Sequence, residues 1–108
     1  MFSHWTWLPP LKMQFEKTGS RFFNSGKQTI VRLITPFRTS YEDSYSKAFP
    51  FDKIVDGMLN PQMTEDTILL IREAIRREKR IAIIINNRAG GNAPLIAQKI
   101  ADRFHSQK

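Results

Sequence analysis

A chain of 108 residues, 41% of them hydrophobic, suits one small domain and argues against wholesale disorder. Seventeen Lys and Arg against ten Asp and Glu leave a net charge of +7, and the lack of cysteine excludes disulfides, thiolate nucleophiles and Cys-based zinc sites. The longest apolar run, Ile81–Ile85, falls far short of the ~20 residues that span a bilayer, so the sequence predicts a soluble, cytoplasmic chain with no membrane contact.

Phe2–Leu8 is aromatic-rich and stops at Pro9-Pro10, which reads as a strand end or an extended entry into a turn. Leu11–Phe23 is a weak helix candidate in which Leu11 and Phe15 share a face and Gly19 is an early terminator. Asn24-Ser25-Gly26 is a loop. Gln28–Thr35 is β-branched on both faces around one arginine and predicts a strand buried on both sides, the usual state of parallel strands. Phe37–Asn60 is polar, aromatic and too long for an ordinary loop, so it is either functional or holds short helices of its own.

Asn60-Pro61 opens a helix expected to reach about Lys79, with Ile68, Ile71 and Ile75 on one face. Ile81–Ile85 predicts a second buried strand, Asn86–Asn92 a glycine-containing turn, and Ala93–Phe104 a closing helix. Strands alternating with helices predict parallel pairing through right-handed crossovers. Gln28–Thr35 and Ile81–Ile85 should therefore be parallel neighbours, with the Pro61–Lys79 helix crossing between them.

The most informative stretch is Asn86-Asn87-Arg88-Ala89-Gly90-Gly91-Asn92-Ala93-Pro94. Glycines allow a sharp turn and close approach of a ligand, and a helix start presents unpaired N–H groups. Asn92 is a good N-cap, and Arg88 is suited to a charge-assisted contact with a carboxylate or phosphate. The alternative is that Gly90-Gly91 only closes a turn while the asparagines bond local backbone. The stretch is no P-loop, because the Gly-Lys-Ser/Thr ending is missing.

"NNRAGGNAPLIAQKIADRF" resembles the C-terminal signature of the domain of unknown function 72, or YecE-like, family. "SHWTWLPPL" (Ser3–Leu11) and "RLITPFRTSYEDSYSKAFPFDKIVDGML" (Arg32–Leu59) are similar to the same family, in the same order. The resemblance implies an α/β fold of the TIM-barrel type, about 250 residues long in full. Residues 1–108 would then form a single segment, the C-terminal third or so of the barrel domain. An incomplete barrel leaves sheet edges uncovered, which predicts self-association.

In such a barrel, functional groups sit where strands end and βα loops begin. That rule selects Arg32, Arg38, Tyr41, Glu42 and Asp43 after the first long strand, with Thr35 and Tyr45 beside them. It also selects Asn86, Asn87, Arg88, Gly90, Gly91 and Asn92 after the second. Arg32 either points towards Glu42 or Asp43 or snorkels from a strand edge. Trp5 and Trp7 either stack on a ligand ring or pack as core or lid. The two histidines, His4 and His105, are too few for a metal site within this chain, and no cofactor is implied.

Charge is uneven. Residues 1–40 carry a net +5, residues 41–75 a net −4 and residues 76–108 a net +6. The basic ends suit phosphates or nucleic acid, although Arg76, Arg77, Lys79 and Arg80 equally suit the solvated end of a helix. The leading expectation is a phosphorylated or otherwise anionic small ligand at the barrel mouth. The alternatives are a metal-assisted hydrolase or nuclease-like barrel, and a basic nucleic-acid-binding module.

Overall fold

A computed structural model describes residues 2–5, 8–19, 28–35, 39–55 and 57–106, the side chain of Tyr41 excepted. Three strands, β1 (Phe2–His4), β2 (Gln28–Leu33) and β3 (Arg80–Ile85), form one parallel sheet in the order β1-β2-β3. Phe2 pairs with Val31, and β2 runs beside β3 from Gln28–Arg80 to Leu33–Ile85. The Asn86 N–H donates to the Leu33 carbonyl at 2.8 Å and carries this pairing one step further.

The helices are α1 (Leu11–Lys17), α2 (Tyr41–Ala48), α3 (Pro61–Arg76) and α4 (Ala93–Ser106), with a 3₁₀ turn, Asn87–Ala89, before α4. α1 stops well short of Phe23, because Thr18 folds back on Phe15 and Gly19 takes φ +73°. α2 forms inside the long Phe37–Asn60 segment. Ser40 caps it by accepting from the Asp43 N–H at 3.1 Å, and Glu42 and Asp43 complement the positive helix end. Pro50 disfavours a helical backbone at Phe49 and ends it.

Asn60 caps α3 by accepting from the Gln62 N–H at 2.8 Å. α3 ends at Arg76 rather than Lys79, since Glu78 adopts φ +56° and the Lys79 N–H turns back to the Ala74 carbonyl.

The core lies on one face of the sheet. Phe2, Val31 and Leu33 meet Leu11 and Phe15 of α1, Met63, Ile68, Leu70 and Ala74 of α3, and Ile96 and Ile100 of α4. Ile81, Ile83 and Ile85 pack against the same cluster. The opposite face carries Gln28, Arg32, Arg80 and Ile84, all exposed, beside half-buried Ile30 and Ala82.

This corrects two expectations. β2 and β3 are apolar on both faces in sequence, yet among the described residues the helices pack on one face and Arg32 and Ile84 stay exposed on the other, their β-branched residues serving strand propensity as much as burial. The expected barrel is also not what the described residues form: their sheet is open and three-stranded, too small to close, within a small α/β fold. A closed barrel of this type needs eight strands and a complete ring of helices. The parallel β2–β3 pairing across α3 is as predicted.

Two side chains lock α1 in place. Gln14 donates to the carbonyls of Ser3 and Pro9, both at 2.7 Å, and accepts from the Ser3 N–H at 3.2 Å. It thereby satisfies backbone groups of β1, a strand only three residues long. Asp66 of α3 accepts from the Lys12 N–H at 3.2 Å, satisfying a donor in the first turn of α1 that Pro10 leaves uncapped. Burial raises the Asp66 carboxyl above its usual range, and that hydrogen bond partly opposes the rise. No helix among the described residues is long and apolar enough to cross a membrane.

Candidate functional site

The loops leaving the carboxyl ends of β2 and β3 meet, because α2 packs against the 3₁₀ turn Asn87–Ala89. Their junction is held by one backbone and one side-chain hydrogen bond. The Val55 N–H donates to the Gly90 carbonyl at 2.9 Å, and the Asn92 Nδ2 donates to the Phe51 carbonyl at 2.8 Å. Open parallel sheets bind ligands beyond this edge, so the junction is the natural place to look for a site.

All three asparagines of the 86–92 loop are occupied in holding it. Asn86 Oδ1 accepts from the Arg88 N–H at 2.9 Å. Asn87 Oδ1 accepts from the Ala93 N–H, and its carbonyl accepts from the Gly91 N–H, both at 2.7 Å. Asn92 Oδ1 accepts from the Leu95 N–H at 3.0 Å and so caps α4.

The expectation that N–H groups around Gly91–Ala93 face an anion is therefore corrected at Gly91 and Ala93. The Gly91 and Ala93 donors are consumed inside the loop, Pro94 has none, and Leu95 is capped. The glycines serve close packing. A Cβ at Gly90 would stand 3.0 Å from Leu59, and one at Gly91, where φ is +120°, would collide with the Lys53 carbonyl oxygen. Both glycines are buried.

The remaining candidates are scattered. Arg88 is half-buried beside α2, its Nε enclosed. Glu42 and Asp43 are exposed in the first turn of α2, and the Tyr41 backbone starts that helix. Arg32 is exposed on the open face of the sheet, level with Ser3 and Ile84. Arg38 and Trp7 lie outside the described residues, and Trp5 is exposed. The loop residues 86–92 and α2 are thus brought together, while Arg32 stands apart from them on the sheet.

His4 ends β1 within the buried core, and its Nε2 has no hydrogen-bond partner. Burial lowers its pKa from 6.5 to about 4, so the ring is neutral at pH 7. Among the described residues no three His, Asp or Glu side chains gather as a metal site would require.

Sequence reasoning passed over one feature of this edge. Tyr45, Phe49 and Phe51 form a ring cluster, with centroids 5.1–6.3 Å apart. The signal was the "YSKAFPF" spacing, in which Tyr45 and Phe49 sit one helical turn apart. A separate cavity of about 620 Å³ lies between the 54–59 segment, the start of α3 and the end of α4, crossed by the 2.7 Å Arg103–Glu65 ion pair. None of the residues selected from the sequence lines it. Compared with models of known families, with curated proteins and with solved structures, the chain matches none.

Proposed function

We propose that this chain, whose motifs resemble the YecE-like family, binds an anionic small ligand at the carboxyl edge of its parallel sheet. The observation that carries the reading is the cross-tied pair of loops at that edge, Val55–Gly90 and Phe51–Asn92, with Arg88 two residues before Gly90 in the turn that packs against α2. Loops fixed to each other by hydrogen bonds hold a cation with little further ordering on binding. With the Gly91 and Ala93 N–H groups occupied, the guanidinium of Arg88 supplies the attraction, as a charge-assisted donor to phosphate or carboxylate. Arg88 therefore replaces the helix start as the expected contact.

The test is a titration of the chain with inorganic phosphate, followed by amide shifts in NMR. Wild type is set beside Arg88→Ala and a control, Arg103→Ala, whose side chain pairs with Glu65 on the far helices. Saturable shifts in residues 86–92 and 41–48 that vanish in Arg88→Ala and persist in the control are expected. Equal responses in all three proteins, or none, overturn the reading. A steep salt dependence with single-stranded nucleic acid, and no response to phosphate, would move the assignment to a nucleic-acid-binding module.

A further inference from the structure

We propose that β3 pairs edge to edge, antiparallel, with β3 of a second copy of this chain, the two Ile83 residues lying opposite each other. Among the described residues β3 is an outer strand, bonded to β2 on one side only. The Asn86 N–H donates to the Leu33 carbonyl, so by the alternation of a strand Ile84 and Ala82 also turn their backbone groups towards β2. Ile81, Ile83 and Ile85 therefore turn three N–H and three C=O groups outwards. Natural edges of this kind are blunted by a charge, a proline or a bulge. Between Arg80 and Asn86 the sequence has no charge, proline or glycine.

The sequence of β3 fits its own copy. Opposed residues of an antiparallel pair share a face and, where their groups point at each other, exchange two hydrogen bonds. Centring the pair on Ile83 sets Ile81 against the partner's Ile85, and the reverse. All the outward groups of both copies are then bonded, and isoleucine meets isoleucine along the helix side. On the open face Ala82 meets the partner's Ile84, a small residue beside a large one. Arg80 falls opposite the partner's Asn86, so no cation opposes another. Moving the centre to Ala82 or Ile84 instead puts Ile85 opposite Lys79 or Ile81 opposite Asn87, both outside the strand. A contact of this symmetry uses the same edge twice and closes at two chains.

The packing beside this edge is incomplete in one chain. A cavity of about 320 Å³ lies between β3, α3 and α4, with walls that include Ile83, Ile85, Ile71, Ile100 and Phe104. Its lining is apolar apart from His105. Ile81, Ile83 and Ile85 are each only half-buried. The partner's three isoleucines, directly opposite, remove more of that surface from water. The net charge of +7 works against any self-association, and salt near 0.15 M screens it beyond about 8 Å. The contact does not depend on Arg88.

The experiment is sedimentation equilibrium of the full chain in such salt, with amide exchange followed by NMR. A reversible monomer–dimer equilibrium is expected, and the amides of Ile81, Ile83 and Ile85 should become at least tenfold better protected as the dimer fills. Two double variants on the open face test the register, since neither Ala82 nor Ile84 belongs to the core cluster. Ala82→Lys with Ile84→Lys sets like charges opposite each other and should weaken the dimer at least tenfold. Ala82→Lys with Ile84→Glu sets opposite charges together and should dimerise as wild type. Should either variant unfold, the exchange pattern of the wild type decides alone. A monomer at every concentration that NMR reaches, assemblies larger than a dimer, or equal weakening in both double variants each overturn the proposal. So does loss of the dimer in Ile84→Lys alone, which would mean that open faces meet instead of edges.

Discussion

Gly91 sits against the carbonyl oxygen of Lys53 so closely that no side chain fits between them. The contact joins residues 38 positions apart and involves backbone on both sides, so a collision there has no flexible group to absorb it. Gly91→Ala should cost roughly 3 kcal/mol or more, the range of overpacking combined with a forbidden φ. Gly57 offers the contrast: its φ is +75° but a Cβ there meets nothing within 4 Å. Gly57→Ala should cost only about 1 kcal/mol, from backbone strain alone. Urea denaturation of both variants checks this, and equal losses would dissolve the distinction.

His4 makes stability depend on pH with a definite sign. Its folded pKa of about 4 lies below the 6.5 of an unperturbed histidine, so between these values the unfolded chain binds the extra proton. Stability from this group is complete above pH 6.5, falls as the pH drops towards 4, and changes no further below that. The full loss is about 3 kcal/mol by proton linkage. Carboxylates titrate in the same window, so the measure is the difference between wild type and His4→Leu from pH 7 to 4. That difference should narrow or reverse in favour of the leucine as the pH falls. Two parallel curves would show that His4 is not protonated on unfolding.

The one-sided core gives alternate residues of the sheet opposite fates. Leu33→Ala should cost about 2–5 kcal/mol, as deletions in a closed core do. Ile84→Thr, on the open face, should stay within about 0.5 kcal/mol in dilute solution. If the open face also drives self-association, as its apolar residues Ile30, Ala82 and Ile84 suggest, Ile84→Lys should abolish concentration dependence in sedimentation. Equal destabilisation by Leu33→Ala and Ile84→Thr would mean that both faces are covered.

The sequence made the succession of strands and helices readable through Gln28–Thr35, Pro61–Lys79 and Ile81–Ile85, because long periodic segments state their own geometry. Coverage was another matter. Ile84 and Ile83 are the same residue type in the same strand, and only the positions of α3 and α4 decide which one is partly covered and which is exposed.

The 86–92 loop was recognisable as special, but its role was not. Glycines that admit a ligand and glycines that admit a neighbouring backbone look alike until Lys53 is found beside Gly91. The partners of Asn92 and Asp66 lie 41 and 54 residues away, and no local pattern announces them. The helix in 41–48 was hidden for a milder reason: two turns with a polar face give a weak periodic signal.

Every register pair between β2 and β3 joins residues 52 positions apart. No hairpin shortens that search, so the chain must close a long loop before β3 can join the central strand. Helices α3 and α4 need only local contacts and are free to form first, whereas the sheet waits for them to bring β3 alongside β2. Such non-local pairing slows assembly relative to a purely helical fold. During that interval two strands rich in isoleucine and valine are unpaired, and a newly made chain is most vulnerable to aggregation then.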